Sequence, residues 1–235
     1  MKRTIREPFF EVGIKNYIYG DDVLELAKVA ESASEKYDVD VLFVTPYADI
    51  RRVAEQCKKL IILAPYMDVL RPGRGMADVL PESIRAAGAH GVVVNHCERP
   101  MALSSVRQTI ERANELDMIS FACSDTIAET QAIAHLRPDI MNPEPTELIG
   151  KGVASDMDFI LASIKAVKEI CPDVLVEIAA GITSGEQVYQ AIYAGAEGAG
   201  AASGIVNAKD PFATLEEMVA NARKAYDDRH GGEIA

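Results

Sequence analysis

Three ionisable residues follow strand-like apolar runs at separate places in the chain. Lys15 ends the run FFEVGIK, His96 ends GVVVNH, and Glu144 opens the segment EPTELIGKG, which is bounded by proline and glycine. In a barrel of parallel strands, the residues that follow each strand face the same end, where active sites are built. A lysine, a histidine and a glutamate that converge there can move protons beside a carbonyl group while an anion is held in place.

Strand-like and helical segments alternate along the whole chain, which is typical of a parallel sheet whose strands are joined by crossover helices. The apolar runs number about eight, as a closed α/β barrel requires. No linker, low-complexity stretch or charge block divides the chain. We therefore predict an α/β fold, a (β/α)8 barrel, that forms a single domain over residues 1–235. The predicted strands are 9–14, 39–44, 60–65, 91–96, 118–123, 139–143, 174–180 and 197–203.

Three of the helical segments are especially clear. Residues 21–37 place apolar side chains on one face of a helix, and residues 102–117 do the same. In residues 155–171, Ser155 precedes a first turn that contains acids, and we predict that it is the N-cap. The apolar face of the first helix consists of Val23, Leu24, Ala27, Ala30 and Ala33.

The composition argues against several classes of function. A formal net charge of −12 makes nucleic acid and anionic membranes poor partners, so an anionic substrate must be bound locally, through backbone amides and helix N-termini. No apolar run approaches the roughly 20 residues that span a bilayer, and residues 1–10 contain no signal-like hydrophobic stretch, so we expect a cytoplasmic protein. The four cysteines form no CxxC pair, and we expect reduced thiols and neither a metal nor another cofactor.

One segment, residues 65–88, is longer than the connections around it and rich in glycine and proline. Long loops in compact domains are usually functional or interfacial. Because its apolar side chains would be costly to leave in water, we predict a subunit contact, in a homodimer or homotetramer held together through the 65–80 loop. The apolar residues concerned are Met67, Val69, Leu70, Met76 and Val79.

Four stretches together resemble the triosephosphate isomerase family, and especially its shorter members. Their order and spacing are highly specific, and the resemblance covers nearly the whole chain, from Phe9 to about Pro211. It implies a TIM barrel that interconverts dihydroxyacetone phosphate and glyceraldehyde 3-phosphate by proton transfer through an enediolate. The stretches are NHCERP (95–100), EPTELIG (144–150), AAGITSG (179–185) and AASGIV (201–206).

The resemblance implies roles for Glu144 and Lys15. Glu144 would be the general base that takes a carbon-bound proton, and a dry pocket would raise its basicity. Lys15 would stabilise the negative charge that develops on the substrate oxygens. Without the resemblance, each residue has a plainer interpretation, as a glutamate of a surface loop and as a lysine whose stem covers a strand end.

His96 would be the electrophile that polarises the carbonyl group of the substrate. In the family this imidazole is kept neutral by a helix N-terminus, which residues 97–105 would supply here. Asn95 and Glu98 would support the ring, and Arg99 is predicted to form a structural ion pair. Taken alone, a histidine at a strand end is more often a buried structural residue.

The resemblance also implies a phosphate cradle and a lid. Glycines and helix N-termini after the last two strands would let backbone amides approach the anion closely. Residues 145–152 would form the lid, in which Leu148 and Ile149 cover the substrate and expel water. The predicted phosphate-binding residues are Gly152, Thr183, Ser184, Ser203 and Gly204.

Two positions depart from the family pattern together. Gly13 stands where the family has an asparagine that touches substrate, and Met76 stands where it has a threonine that meets that asparagine across the dimer interface. We predict that Met76 of a second copy fills the gap opened by Gly13 and reshapes one wall of the pocket. Thr146, Lys151 and Pro100 also replace the residues usual in the family.

The sequence leaves three functions open. The first is isomerisation of a small phosphorylated sugar, with triose phosphate as the default substrate and a four-carbon ketose phosphate (tetrulose 4-phosphate) as the alternative that the two changed positions suggest. The second is a non-catalytic barrel that binds a phosphorylated ligand, although retention of the base beside an intact lid argues against it. The third, a barrel isomerase of tryptophan or histidine synthesis, explains the cradle but neither NHCERP nor EPTELIG.

Overall fold

The structure, a computed structural model, describes residues 2–152 and 154–231. Its strands form a closed barrel in sequence order, in which each strand runs parallel to its neighbours and the last pairs with the first. The predicted (β/α)8 barrel is therefore confirmed, while the predicted domain limits, 1–235, stay a prediction. The strands are β1 Phe9–Gly13, β2 Asp40–Val44, β3 Ile61–Ala64, β4 Gly91–Val94, β5 Ile119–Ser124, β6 Ile140–Pro143, β7 Leu175–Ile178 and β8 Gly198–Ala201.

Helices alternate with these strands along the chain. Each predicted apolar run overlaps one strand, and β5 alone extends past its run, by one residue. The helix predicted over 21–37 has those bounds, with its predicted apolar face buried. The helices are α1 Asp21–Tyr37, α2 Tyr47–Gln56, α3 Pro81–Ala87, α4 Leu103–Glu115, α5 Ile127–Ala134, α6 Met157–Lys168, α7 Gly185–Tyr193, α8 Ser203–Val206 and α9 Pro211–Gly231.

Two sequence predictions about helices are wrong. The N-cap of α6 is Asp156 rather than Ser155, because the Asp156 carboxylate accepts a hydrogen bond from the backbone N–H of Phe159 at 2.8 Å. Residues 65–88 are also not one long loop, since α3 occupies their last part. Pro81 lies in the first turn of α3, where the missing N–H of proline costs nothing.

The apolar core has two layers. The larger cluster lies between the strands and the helices, and includes Phe10, Val12 and Phe43 from the strands. The smaller cluster lies inside the barrel and includes Phe9, from the alternate positions of the strands. Side chains alternate between the two faces of a strand. Glu11 and Gly13, which follow Phe9 at every second position of β1, therefore also face the interior of the barrel.

The 65–80 loop is only partly covered by its own chain. Met67 is buried, while Val69 is exposed and the side chain of Met76 is 94% exposed. Of the four cysteines, which are all free thiols, Cys97 is the one that is not buried. Within the described residues, no helix combines the length and the apolar character needed to cross a membrane.

Candidate active site

A cavity of about 350 Å³ opens at the carboxyl ends of the barrel strands. Lys15, His96 and Glu144 all line it. The barrel thus brings together three residues that lie far apart in the sequence, as the strand-end argument predicts.

Lys15 reaches this cavity from the turn after β1. Its backbone φ is 48°, a left-handed conformation that costs a residue with a side chain roughly 1–2 kcal/mol. Its Nζ donates a hydrogen bond to Oε1 of Glu98 at 3.0 Å. Burial disfavours the charge of Lys15, but the hydrogen bond to Glu98 and the nearby carboxylates outweigh it, so the pKa of the lysine is raised. The ammonium group therefore stays charged at neutral pH.

His96 presents one ring nitrogen to the cavity and one to its own backbone turn. Its Nδ1 accepts a hydrogen bond from the backbone N–H of Glu98 at 3.1 Å, so a neutral ring carries its hydrogen on Nε2. Burial and the charge of Lys15 lower the pKa of His96 to about 4. The ring is therefore neutral at pH 7 and offers an N–H donor to a bound substrate.

The group that holds Nδ1 belongs to a turn rather than to a helix. The backbone N–H of Arg99 donates to the carbonyl of His96 at 2.8 Å, which closes a tight turn directly after β4, whereas α4 begins only at Leu103. A helix does begin within residues 97–105, as predicted, but the amide that contacts Nδ1 is that of Glu98 in the turn before it. A single turn amide that donates to Nδ1 also keeps the ring neutral, as a helix N-terminus would, because it disfavours a proton on that nitrogen.

Glu144 follows β6 directly, and its backbone N–H donates to the carbonyl of Ser124 at 2.7 Å. Its side chain is only 13% exposed, and Oε2 lies 3.7 Å from Nε2 of His96. Burial raises the pKa of Glu144 to about 7, although the charge of Lys15 opposes the rise. The carboxylate is therefore far more basic than an exposed glutamate and is suited to accept a proton from carbon near neutral pH.

Asn95 fixes the loop that carries His96. Its side-chain Nδ2 donates to the carbonyl of Cys123 at 3.1 Å and to Oε1 of Glu129 at 3.0 Å. Its Oδ1 accepts from the backbone N–H of Met101 at 2.8 Å. The asparagine therefore ties the end of β4 to β5 and α5, which agrees with a supporting position.

Arg99 stands against an aromatic ring instead of an acid. Its guanidinium lies 4.0 Å from the ring centroid of Tyr66, and in the part of the chain that the structure describes it forms no ion pair. The predicted ion pair is therefore wrong. The hydroxyl of Tyr47 donates to the carbonyl of Tyr66 at 3.0 Å, so these three residues form one wall of the cavity.

The predicted phosphate-binding residues lie close together at the ends of β7 and β8, although of the five only Ser203 lines the cavity itself. A Cβ atom on Gly204 would lie 2.1 Å from the carbonyl oxygen of Ile182, so only glycine fits there. A Cβ atom on Gly152 would lie 3.7 Å from Cγ2 of Thr183. The lid end and the two strand ends therefore meet at one edge of the site.

The amides after β7 already have partners within the chain. The backbone N–H of Thr183 donates to Oε1 of Gln187 at 2.7 Å, and that of Gly185 donates to Oε1 of Glu217 at 3.2 Å. Ser184 is the N-cap of α7, and its hydroxyl accepts from the backbone N–H of Gln187 at 3.5 Å. A phosphate group at this edge would have to displace the Gln187 side chain from Thr183.

The segment 145–152 has the features of a hinged lid. Its two glycines have φ values of 72° and 67°, which glycine adopts without strain, and a 3-10 turn occupies Thr146–Leu148. The backbone N–H of Thr146 donates to Oδ1 of Asp125 at 2.7 Å, a bond that a proline at this position could not make. Ile149 lines the cavity.

The space that Gly13 opens is filled from within the same strand. A Cβ atom on Gly13 would lie 2.6 Å from Oε1 of Glu11, so the carboxyl group of Glu11 occupies the place that a larger side chain would take. Glu11 of the same chain therefore takes part of this space, while the approach of Met76 from a second copy stays a prediction.

Three polar residues near the cavity were missed by the sequence analysis. Glu11 and Asn142 line the cavity, and Glu177 is buried inside the barrel. Their signal is visible in the sequence, because glutamate is almost never fully buried without a partner, yet Glu11 and Glu177 stand inside the apolar runs FFEVG and LVEI.

Comparison with known proteins gives consistent matches over most of the chain. A family model described as Triosephosphate isomerase matches residues 13–220. The Triosephosphate isomerase of Methanothermus fervidus is 36% identical over 217 residues, which cover 90% of this chain and 97% of the relative. That of Sulfolobus acidocaldarius is 36% identical over 229 residues, covering 96% and 99%. That of Methanosarcina mazei is 34% identical over 217 residues, covering 90% and 97%.

Proposed function

Because the chain belongs to the triosephosphate isomerase family, we propose that its barrel cavity carries out the reaction that gives the family its name. The chain is an aldose–ketose isomerase, an intramolecular oxidoreductase that interconverts dihydroxyacetone phosphate and glyceraldehyde 3-phosphate. The reaction moves one hydrogen from carbon to carbon and one from oxygen to oxygen, so it needs a base and an acid on neighbouring substrate atoms.

Glu144 and His96 are our candidates for these two groups. Glu144 removes a proton from the hydroxymethyl carbon of dihydroxyacetone phosphate, and the electron pair of that C–H bond passes to the carbonyl oxygen, which Nε2–H of His96 polarises. His96 gives the proton on Nε2 to this oxygen and takes one from the neighbouring hydroxyl group, and return of the carbon proton from Glu144 to the former carbonyl carbon then gives the aldehyde. The observation that carries this assignment is the 3.7 Å approach of Glu144 Oε2 to His96 Nε2 on the wall of one cavity.

Lys15 would supply the positive charge that the enediolate requires. Its side chain is only 20% exposed, which strengthens the effect of its charge, and its partner Glu98 lies two residues after His96. A positive group that is already in place where negative charge develops in the transition state is usually the largest single contribution to catalysis. We place the phosphate group at the edge formed by Gly152, Thr183 and Ser203, with Ser184 and Gly204 shaping that edge.

The assembly and the location of the protein are also proposals. We propose a homodimer or homotetramer held together through the 65–80 loop, since the exposed Met76 and Val69 are apolar side chains that a second copy would cover. We place the protein in the cytoplasm, as an enzyme of glycolysis, because the sugar phosphates of that pathway are its substrates.

The decisive experiment follows the proton itself. The purified protein is incubated with dihydroxyacetone phosphate in D₂O, and deuterium incorporation into substrate and product is followed by NMR beside a coupled assay of glyceraldehyde 3-phosphate formation. We expect rapid exchange that Glu144→Gln abolishes and that Glu25→Gln, an exposed change on α1, leaves unaltered. Absence of both exchange and isomerisation in the unmodified protein would rule out the proposed function and favour a barrel that only binds its ligand.

A further inference from the structure

Three polar side chains point into the barrel one layer below the catalytic candidates. Glu11 lies two residues before Gly13 on β1, Asn142 lies two residues before Glu144 on β6, and Glu177 lies two residues before Ala179 on β7. Inward-facing residues recur at every second position of a barrel strand. The next layer down is apolar, as Phe9 in the inner cluster illustrates, so the polar layer is a distinct feature.

These side chains are buried and their polar atoms are poorly satisfied. Glu177 is 0% exposed and Asn142 is 3% exposed. Within residues 2–152 and 154–231, neither carboxyl oxygen of Glu177 nor Oδ1 of Asn142 has a hydrogen-bond partner. Burial of such atoms costs free energy unless something binds them, and most buried polar atoms in proteins have a partner from protein, water or ligand.

Two glycines make the room that the carboxyl groups need. A Cβ atom on Gly200 would lie 2.1 Å from Oε1 of Glu177 and 2.6 Å from Oε2 of Glu11. Both carboxyl groups therefore crowd around one point, the position where β8 lacks a side chain. Because Gly13 and Gly200 carry no side chains, the carboxyl groups of Glu11 and Glu177 occupy the space that bulkier residues would fill inside the barrel.

The carboxyl groups of Glu11 and Glu177 are too close and too buried to be charged together. Burial and the charge of Glu144 raise the pKa of Glu11 to about 8, and burial together with Glu11 raises the pKa of Glu177 well above its usual range. At neutral pH at least one of the two groups keeps its proton. The pair therefore offers a hydroxyl donor as well as acceptor oxygens.

The polar layer belongs to the same cavity as the catalytic candidates. Glu11 and Asn142 line it together with Glu144 and Lys15. The proposed phosphate edge, at Ser203, lies at the mouth of the barrel, whereas Glu11 lies one layer deeper. A substrate that binds its phosphate group at the mouth therefore directs its opposite end toward this floor.

We propose that Glu11 and Asn142, supported by Glu177, form a hydroxyl-binding floor of the cavity. The preferred substrate is then a sugar phosphate with at least one hydroxylated carbon more than a triose. This additional carbon lies beyond the reacting carbons, at the end of the substrate away from the phosphate group. This inference rests on the proposed isomerisation and extends its substrates from triose phosphates to longer sugar phosphates. A hydroxyl group fits because it can donate to Asn142 Oδ1 or a carboxylate and accept from a protonated carboxyl group. A second phosphate would be repelled by the acid pair.

The proposed floor can be tested by calorimetry, which gives the dissociation constants of two ligands that the enzyme cannot turn over. Glycerol 3-phosphate has the length of a triose phosphate, and erythritol 4-phosphate adds one hydroxylated carbon. We expect the unmodified protein to bind the longer ligand roughly 10-fold more tightly, the gain of about one well-made hydrogen bond. In Glu11→Leu and in Asn142→Ala the ratio of the two dissociation constants should fall toward one, while the exposed change Asn114→Ala should preserve it.

The results distinguish failure of the hydroxyl-binding floor from failure of the proposed isomerase function. Equal affinity for both ligands in the unmodified protein, or a ratio that survives in both floor variants, would overturn the floor. Thermal melting of each variant identifies any that fails to fold, and the other variant then decides. Deuterium exchange with dihydroxyacetone phosphate is measured separately, so a preference for the longer ligand without any exchange would reject the isomerase proposal and retain the floor.

Discussion

Nε2 of His96 lies 3.7 Å from Oε2 of Glu144, while Nδ1 of the same ring accepts a hydrogen bond from the backbone of Glu98 at 3.1 Å. The turn amide therefore sets which nitrogen carries hydrogen, and the barrel sets what that nitrogen faces. A carbonyl oxygen that binds Nε2–H would lie beside the Glu144 carboxylate, which we propose takes the proton from the neighbouring carbon. The distance between Nε2 and Oε2 therefore ties the acid and the base of the proposed reaction to one substrate position.

Shortening the base should reduce turnover while leaving binding largely intact. Glu144→Asp withdraws the carboxylate by one methylene group, and a displacement of about 1 Å costs roughly 100-fold in rate. We expect kcat to fall by about that factor with a much smaller change in KM, measured in the coupled isomerase assay. Glu25→Asp, on the exposed face of α1, should keep the unmodified rate. A kcat within a factor of two of the unmodified protein would exclude Glu144 as the base.

Activity should rise with pH as Glu144 loses its proton. Its pKa is about 7 and only the ionised form accepts a proton, so kcat/KM should climb through that pH, whereas His96, with a pKa of about 4, stays neutral above about pH 5. Unphosphorylated glyceraldehyde is the substrate of choice, because a phosphate group itself ionises near pH 6. A plateau that is already complete near pH 5 would contradict a raised pKa.

The charge of Lys15 should matter more than its bulk. Lys15→Met keeps the length of the stem and removes the ammonium group, and loss of one electrostatic stabiliser typically costs about 10²–10³-fold in kcat. Lys15→Arg should recover little, because a planar guanidinium does not replace a compact ammonium group beside Glu98. Steady-state kinetics of both variants, with Lys165→Met on the exposed face of α6 as the control, test this. Full activity in Lys15→Met would show that the charge is dispensable.

The fold was largely predictable because each strand is a compact apolar run. The inner and outer faces of a barrel strand are both buried, so sequences such as GVVV stand out without any alternation. Errors arose where one polar atom decides the local geometry. Ser155 and Asp156 are both good capping residues, and only the structure shows that Asp156 reaches the amide of Phe159.

The candidate site was predictable at its rim and not at its floor. Lys15, His96 and Glu144 follow strands, so their convergence needs no knowledge of register. The proximity of Glu11 to Glu177 depends on β8, whose Gly200 lies opposite Glu11 in the strand pairing and leaves the space between them. The proximity of the two glutamates thus depends on three different strands and on the missing side chain of Gly200. No local pattern in the sequence predicts it.

Met76 should be the most sensitive position for assembly. Its side chain is 94% exposed in the isolated chain, and a charge placed in an apolar contact is strongly unfavourable. We expect the unmodified protein to form dimers or tetramers and Met76→Glu to shift it toward monomers, measured by light scattering at micromolar concentration. Phe212→Glu, an exposed apolar residue of α9, is the matched control. A monodisperse monomer in the unmodified protein would refute the oligomer proposal.

Replacing Glu177 by leucine should stabilise the protein, and more so at high pH. The folded state keeps a proton on this buried acid pair that the unfolded chain releases above its ordinary pKa near 4.5. The free energy of unfolding therefore falls as pH rises above that value, by up to about 1.4 kcal/mol per pH unit for each proton concerned. Glu177→Leu removes the group, so its gain over the unmodified protein should be larger at about pH 8 than at about pH 5.

Denaturant unfolding of the unmodified protein, Glu177→Leu and Glu177→Gln at both pH values measures this difference. Glutamine also removes the titration but keeps a buried polar group, so its variant should flatten the pH dependence with a smaller gain in stability. An equal gain at both pH values would show that the acid pair holds no proton that the unfolded chain lacks. If the leucine variant is more stable and also loses preference for the longer ligand, the unsatisfied acids are retained for binding at a cost in stability, which is the expected signature of a functional site inside a core.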